Sequence, residues 1–216
     1  MKIAIREPGS AITHFVAMMM AITASAPLLA KAAFGGNRLT VLALTVFMGS
    51  MVLLYGASTL YHSLVVRDAV LKVFRKLDHM MIFVLIAGSY TPVCLIVLGG
   101  KSGYTLLASV WGIAAAGMII KALWINCPKW FSSVIYIAMG WVCVFVFGQL
   151  LQTLSPGAFL WLLAGGIIYT VGGVIYALKL PIFNAKHKSF GSHEVFHLFV
   201  MAGSICHFIF MYLYVA

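Results

Sequence analysis

Two histidines, His193 and His197, stand four residues apart in the stretch Ser-His-Glu-Val-Phe-His at residues 192–197. On a helix that spacing places both imidazoles on one face, about one turn apart. Such a pair can bind one divalent cation, and neutral imidazole without thiolate suits zinc, with other divalent metals fitting the same donors. A third histidine from another helix would complete three protein ligands and leave one position for water, the usual layout of a catalytic zinc site. Glu194 also completes the H-E-x-x-H pattern of zinc proteases, in which that glutamate is the general base.

Further upstream, Ser58 and His62 repeat the four-residue spacing, and Asp78 and His79 begin the next apolar run. Adjacent helical residues point about 100° apart, so Asp78 and His79 are expected to face different points. Asp78 is assigned to the site. A carboxylate near zinc can accept a proton from the bound water or orient it, and an unpaired one within a membrane is costly. Ser58, one turn deeper than His62, could hydrogen-bond that water or a ligand. His14 serves either as a plain polar contact or as a group behind the ligands. Glu7 holds a basic residue, caps the first helix or joins the site. His79 is expected at the membrane interface or packed on a neighbour, and His187, between Lys186 and Lys188, in solvent. His207 lies ten residues beyond His197, about 15 Å further along the helix. An interhelical hydrogen bond or a cavity wall is its expected role. The protease reading is the weaker one: no helix follows the motif to supply a third ligand, and the other candidates lie upstream. Glu194 is then expected to face the headgroups.

The elements that must carry these groups are membrane helices. The 216 residues are 63% hydrophobic and 8% charged, far beyond what a soluble domain needs. Long unbroken apolar runs exclude a transmembrane β-barrel, whose strands alternate. Seven runs are expected to span, at about 11–30, 39–62, 79–99, 103–124, 131–151, 158–178 and 193–215, each close to the ~20 residues that cross a bilayer. Breaks such as KAAFGGNR, VVRDAVLKVFRK and LSPG are short, so residues 1–216 read as one seven-helix domain. The first run reads as an uncleaved anchor. Cys94, Cys127, Cys143 and Cys206 are scattered without a C-x-x-C, and read as small apolar residues.

The net charge of +10 is assigned to orientation and lipid headgroups, with no nucleic-acid partner. Lys2, Arg6, Arg67, Lys72, Arg75, Lys76, Lys121, Lys129, Lys179, Lys186 and Lys188 fall on one side, and Lys31, Arg38 and Lys101 on the other. That bias predicts a cytoplasmic N-terminus and an external C-terminus. It also gathers Ser58, His62, Asp78, His193 and His197 at one depth near the cytoplasmic face.

With those residues in place, the chain resembles the hemolysin III family, grouped with the progestin and adiponectin receptors. The likeness rests on Ser58-x-x-x-His62, Asp78 near the start of the next helix, and His193-x-x-x-His197 on the last. The stretches GASTLYHS, KLDHMMIFVLIAGSYTP, YIAMGW, GGVIY and HLFVMAGSICHF are similar as well. Alkaline ceramidases, in the wider superfamily, share the pattern. The resemblance implies seven helices, zinc on His62, His193 and His197, Asp78 and Ser58 close by, and a bacterial inner membrane. The family often carries Glu-x-x-Asn-x-x-Thr-His near its N-terminus. Glu7, Thr13 and His14 match, but Ser10 replaces the Asn, which puts that residue's role in doubt here.

Three functions fit the pattern. The first is an enzyme in which a zinc-activated water, its pKa lowered towards about 7, attacks a lipid amide or ester entering from the bilayer. Asp78 would then be general base or orienting group, and Ser58 would help bind the water or oxyanion. The second is a sensor or receptor-like regulator in which zinc ties helices together. The third, a pore-forming cytolysin, follows from the family's name alone.

Overall fold

A computed structural model describes residues 5–178 and 191–216. Among these residues the protein is all-helical, with seven helices long and apolar enough to cross a membrane. Lys2, Lys179, Lys186, Lys188 and His187 lie outside the described residues.

Helix α1 (Pro8–Phe34) starts with proline at its first position, where no backbone donor is lost. Helix α2 (Arg38–Ser63) is capped by Asn37, whose side chain accepts from the Leu39 N–H at 2.9 Å. Helix α3 (Asp68–Pro92) begins eleven residues before the expected span at 79–99. The stretch from Asp68 to Lys76 was expected to be a connection. It is amphipathic rather than loop-like, so it extends the helix and leaves only residues 64–67 as the turn. Pro92 cannot donate to the helix, and the chain continues as a widened π turn (Val93–Leu98). Gly99 and Gly100, at φ +58° and +53°, then reverse it into α4 (Gly100–Leu123).

The expected fifth span is interrupted. Helix α5 (Lys129–Gly140) ends at Gly140, a 3₁₀ segment covers Val142–Val146, and α6 (Phe147–Thr153) finishes the crossing. Exposed polar backbone is not tolerated at membrane depth, and Tyr90 of α3 answers it. Its hydroxyl donates to Gly140 O at 2.6 Å and accepts from the Cys143 N–H at 3.0 Å. Helices α7 (Pro156–Leu178) and α8 (Ser192–Phe210), the latter continued by a π turn (Met211–Val215), complete the bundle.

Helix α2 is the hub, packed on α1 and α3, while α7 pairs with α8 and α1 reaches α8. One core gathers Leu44, Phe47, Met48 and Tyr55 of α2 with Phe210 and Met211. A second joins α3, α4 and α5 through Phe83, Val110, Ala114 and Met139. Small residues let the helices close, as membrane packing requires. A methyl on Gly88 would strike Ser50, and one on Gly203 would strike the Tyr169 ring. Tyr55 of α2 and Tyr169 of α7 both bond the Ser204 hydroxyl of α8, at 2.5 and 2.8 Å. That bridge ties both α2 and α7 to α8 through one hydroxyl.

Candidate metal centre

The last turn of α2 and the first turns of α8 bring His62, His193 and His197 together. Each offers one ligand atom, and the three atoms lie within 4.8 Å of one another. His62 Nε2 and His193 Nε2 are 3.2 Å apart. Two nitrogens bound tetrahedrally to zinc at about 2.0–2.1 Å would stand about 3.3 Å apart, so the pair is at coordinating separation. His62 and His197 are 1% and 2% exposed, and His193 is half-buried.

The N-terminus of α1 orients two of these rings. Glu7 accepts a hydrogen bond from His62 Nδ1–H, while its own N–H donates to His62 O at 3.0 Å. The bond places the ring proton on Nδ1 and turns the Nε2 lone pair inward. It also holds the Glu7 carboxyl below its ordinary range, with Arg6 at 3.5 Å adding to the effect. Thr13 Oγ1 lies 3.1 Å from His197 Nδ1. Its single proton serves the carbonyls of Gly9 and Ser10, so the hydroxyl accepts from His197 and leaves that Nε2 as the free donor atom.

Around the triad sit buried polar atoms without a hydrogen-bond partner among the described residues: Ser58 Oγ, His193 Nδ1 and both ring nitrogens of His14. Unpaired buried polar groups cost about 1–3 kcal/mol each. An all-nitrogen donor set facing inward, framed by such groups, fits a divalent cation with a water. His14 is stacked on His197, the centroids 3.5 Å apart and the planes 9° from parallel. Asp78 is buried and faces a cavity of about 130 Å³ that His14, His193 and His197 also line. The cavity runs between α3, α5, α7 and α8 from this polar end to His207. Its walls are otherwise mostly apolar, including Ile82, Ile86, Ile137 and Val200. A second cavity of about 60 Å³ continues it past the break in the fifth span. The two share Ser89, Tyr90, Gly140, Trp141, Gly166 and His207.

A family profile described as Haemolysin-III related matches residues 3–208. The chain belongs to this family. Among its relatives, Hemolysin-3 of Bacillus cereus is 39% identical over 209 residues, covering 97% of this chain and 91% of that protein. The Hemolysin-3 homolog of Bacillus subtilis is 36% identical over 202 residues, 94% of this chain and 91% of the relative. A progestin and adipoQ receptor-like protein 1 of Caenorhabditis elegans is 30% identical over 184 residues, covering 75% of this chain and 41% of its own length.

In this haemolysin III-related protein, several sequence expectations are refined. Asp78 and His79 do not diverge. His79 Nδ1 donates to Arg75 O at 2.9 Å and also sits 3.4 Å from Asp78 Oδ2, and both residues line the cavity. Glu194 does not face headgroups. It accepts from Ser10 Oγ at 2.6 Å and from the Gly191 N–H at 2.7 Å, fastening the start of α8 to α1. Ser10 is the residue standing where the family often has Asn, and its hydroxyl still supplies a donor there. His207 meets its expected role, buried on the cavity wall with Nε2 3.3 Å from Leu162 O. Ser58 is fully buried one turn from His62 but outside the cavity lining. Sequence reasoning underweighted Glu7, Thr13 and His14. Their signal was the Glu, Thr and His of the family's N-terminal pattern.

Proposed function

We propose that this protein is a zinc-dependent hydrolase acting on the amide or ester bond of a membrane lipid at the membrane face where its basic residues gather, the cytoplasmic one by the charge rule. The observation that carries this reading is a trio of inward-facing imidazoles beside a buried carboxylate, at the head of an apolar cavity. His62, His193 and His197 would hold the ion. When bound, zinc supplies a Lewis acid that makes a water nucleophilic near neutral pH. Asp78, on the cavity wall, accepts the proton of that water and returns it to the leaving amine or alcohol. Ser58 Oγ, one turn from His62 and without a hydrogen-bond partner among the described residues, is placed to donate to that water from behind the ligands rather than from the cavity wall. The apolar walls from Ile82 to Val200 accept the acyl chain and exclude bulk water, which strengthens each of these polar interactions.

The test is fatty-acid release from a panel of ceramide-like and glycerolipid substrates by zinc-loaded protein. The expected result is cleavage of at least one class. In Asp78→Asn the rate falls by about 10²–10⁴ with metal content retained. Zinc-loaded native protein that cleaves none of the panel overturns the reading. A second reading has its own support in the receptor-like relatives and in the position of the triad across α2 and α8. In it, zinc is a tie between helices in a sensor without catalysis.

A further inference from the structure

At the corner between α4 and α5, away from the histidines, a second reactive cluster is buried. Lys121, in the last turn of α4, is 2% exposed. Its Nζ lies 3.0 Å from Cys127 Sγ and 2.5 Å from Ser132 Oγ, and Cys127 Sγ lies 3.3 Å from the same hydroxyl. No carboxylate reaches ion-pair distance of Lys121 among the described residues. Burying an ammonium without a counter-charge is costly, and of the two described side chains bonded to it, Cys127 and Ser132, the thiol is the one that can supply a negative charge near neutral pH. Tyr136 adds a ring 5.9 Å away.

Burial pushes the Cys127 thiol up, but the bonds from Ser132 and Lys121 outweigh it and hold the thiol below its ordinary range. A thiolate, not a thiol, is the species that peroxides oxidise. Cys127 itself is 7% exposed, but Asn126 and Pro128 on either side are exposed, so a small oxidant has a short path.

We propose that Cys127 and Lys121 form a peroxide-responsive pair that closes into a covalent sulfur–nitrogen crosslink. The Cys127 thiolate attacks a hydroperoxide. The S–O bond forms, the O–O bond breaks, and the hydroxide released takes a proton from the Lys121 ammonium to leave as water. Sulfur is oxidised by two electrons and the peroxide reduced by two. The neutral Lys121 amine then attacks the sulfenic sulfur. The S–N bond forms, the S–O bond breaks, and a second water departs. From thiolate, ammonium and hydrogen peroxide the products are one sulfenamide and two waters. The crosslink fastens the end of α4 to the loop that starts α5. Helix α5 carries Ser133 and Tyr136 into the wall of the apolar cavity, so oxidation of the corner would stiffen one side of it.

The test treats the purified full chain in detergent micelles with limiting hydrogen peroxide and follows it by peptide mass spectrometry. The expected product is a peptide spanning residues 121–127 that has lost two hydrogens and resists trypsin at Lys121. Cys143, half-buried on the break of the fifth span, is the internal standard, and Cys127 should react first despite its deeper burial. Lys121→Arg keeps the cation but has no amine free to close, so its Cys127 should stop at a sulfenic acid that dimedone traps. Lys121→Met should slow oxidation of Cys127 at least tenfold. Oxidation of Cys143 ahead of Cys127 in the native protein overturns the proposal without recourse to any variant. So does oxidation of native Cys127 with no S–N peptide, or an unchanged rate in Lys121→Met.

Discussion

At the scale of single residues, the histidine triad depends on groups that stand behind it. Glu7 and Thr13 each occupy the outer nitrogen of a triad histidine, which selects the tautomer and frees the inner nitrogen. Glu7→Gln removes the charge and should weaken zinc affinity about 10- to 100-fold, read by competition with a chromophoric chelator. Thr13→Val should move affinity in the same direction, and unchanged affinity in both would mean that the orienting bonds are incidental. Glu194 gives the converse prediction. Its carboxylate is already committed to Ser10 and to the backbone of Gly191, so it is not free to act as a base. Glu194→Gln should therefore retain metal and stay within a few-fold of native turnover in the lipid assay. Loss as deep as that of Asp78→Asn would revive the protease-like role of the H-E-x-x-H glutamate.

At the scale of helices, close approach is bought with glycine and maintained by side chains that mend backbone breaks. Helix α4 has both kinds of position. A methyl on Gly117 would run into the Phe83 ring of α3, whereas one on Gly112 would meet nothing within 4 Å. Gly117→Ala should destabilise by about 1–3 kcal/mol, seen as a lower unfolding temperature in micelles, with Gly112→Ala neutral or slightly stabilising. Equal behaviour of the two variants would show that α3 and α4 are not packed as described. The break after Gly140 belongs to the same scale. Tyr90 satisfies both freed backbone groups, and Gly140 and Trp141 can then line the cavity instead of filling it.

For the molecule as a whole, the triad joins α2 near the start of the chain to α8 at its end, so bound zinc should act as a clasp. With zinc at about 100 times its Kd, linkage adds about 2.7 kcal/mol, or roughly 5–10 °C in Tm. Chelation should remove that increment from the native protein and leave His62→Ala, already low, unmoved. A native protein indifferent to chelator would mean the clasp does not form. Much of this design was legible in the chain itself. Span number followed from apolar length, a property of each segment alone, and so did the four-residue pairings that put Ser58 beside His62 and His193 beside His197. The donor chemistry of imidazole is likewise carried by residue type. What only the tertiary structure decided are contacts between distant positions: Glu7 with His62, 55 residues apart, and both Thr13 with His197 and Ser10 with Glu194, 184 apart. The same holds for the cavity and the interrupted fifth span, since a void and a mended break depend on which side chains neighbouring helices present. Periodicity assigns a residue to a face but says nothing of what lies opposite it, and in a bilayer, where every surface is apolar, that opposite partner is settled only by packing.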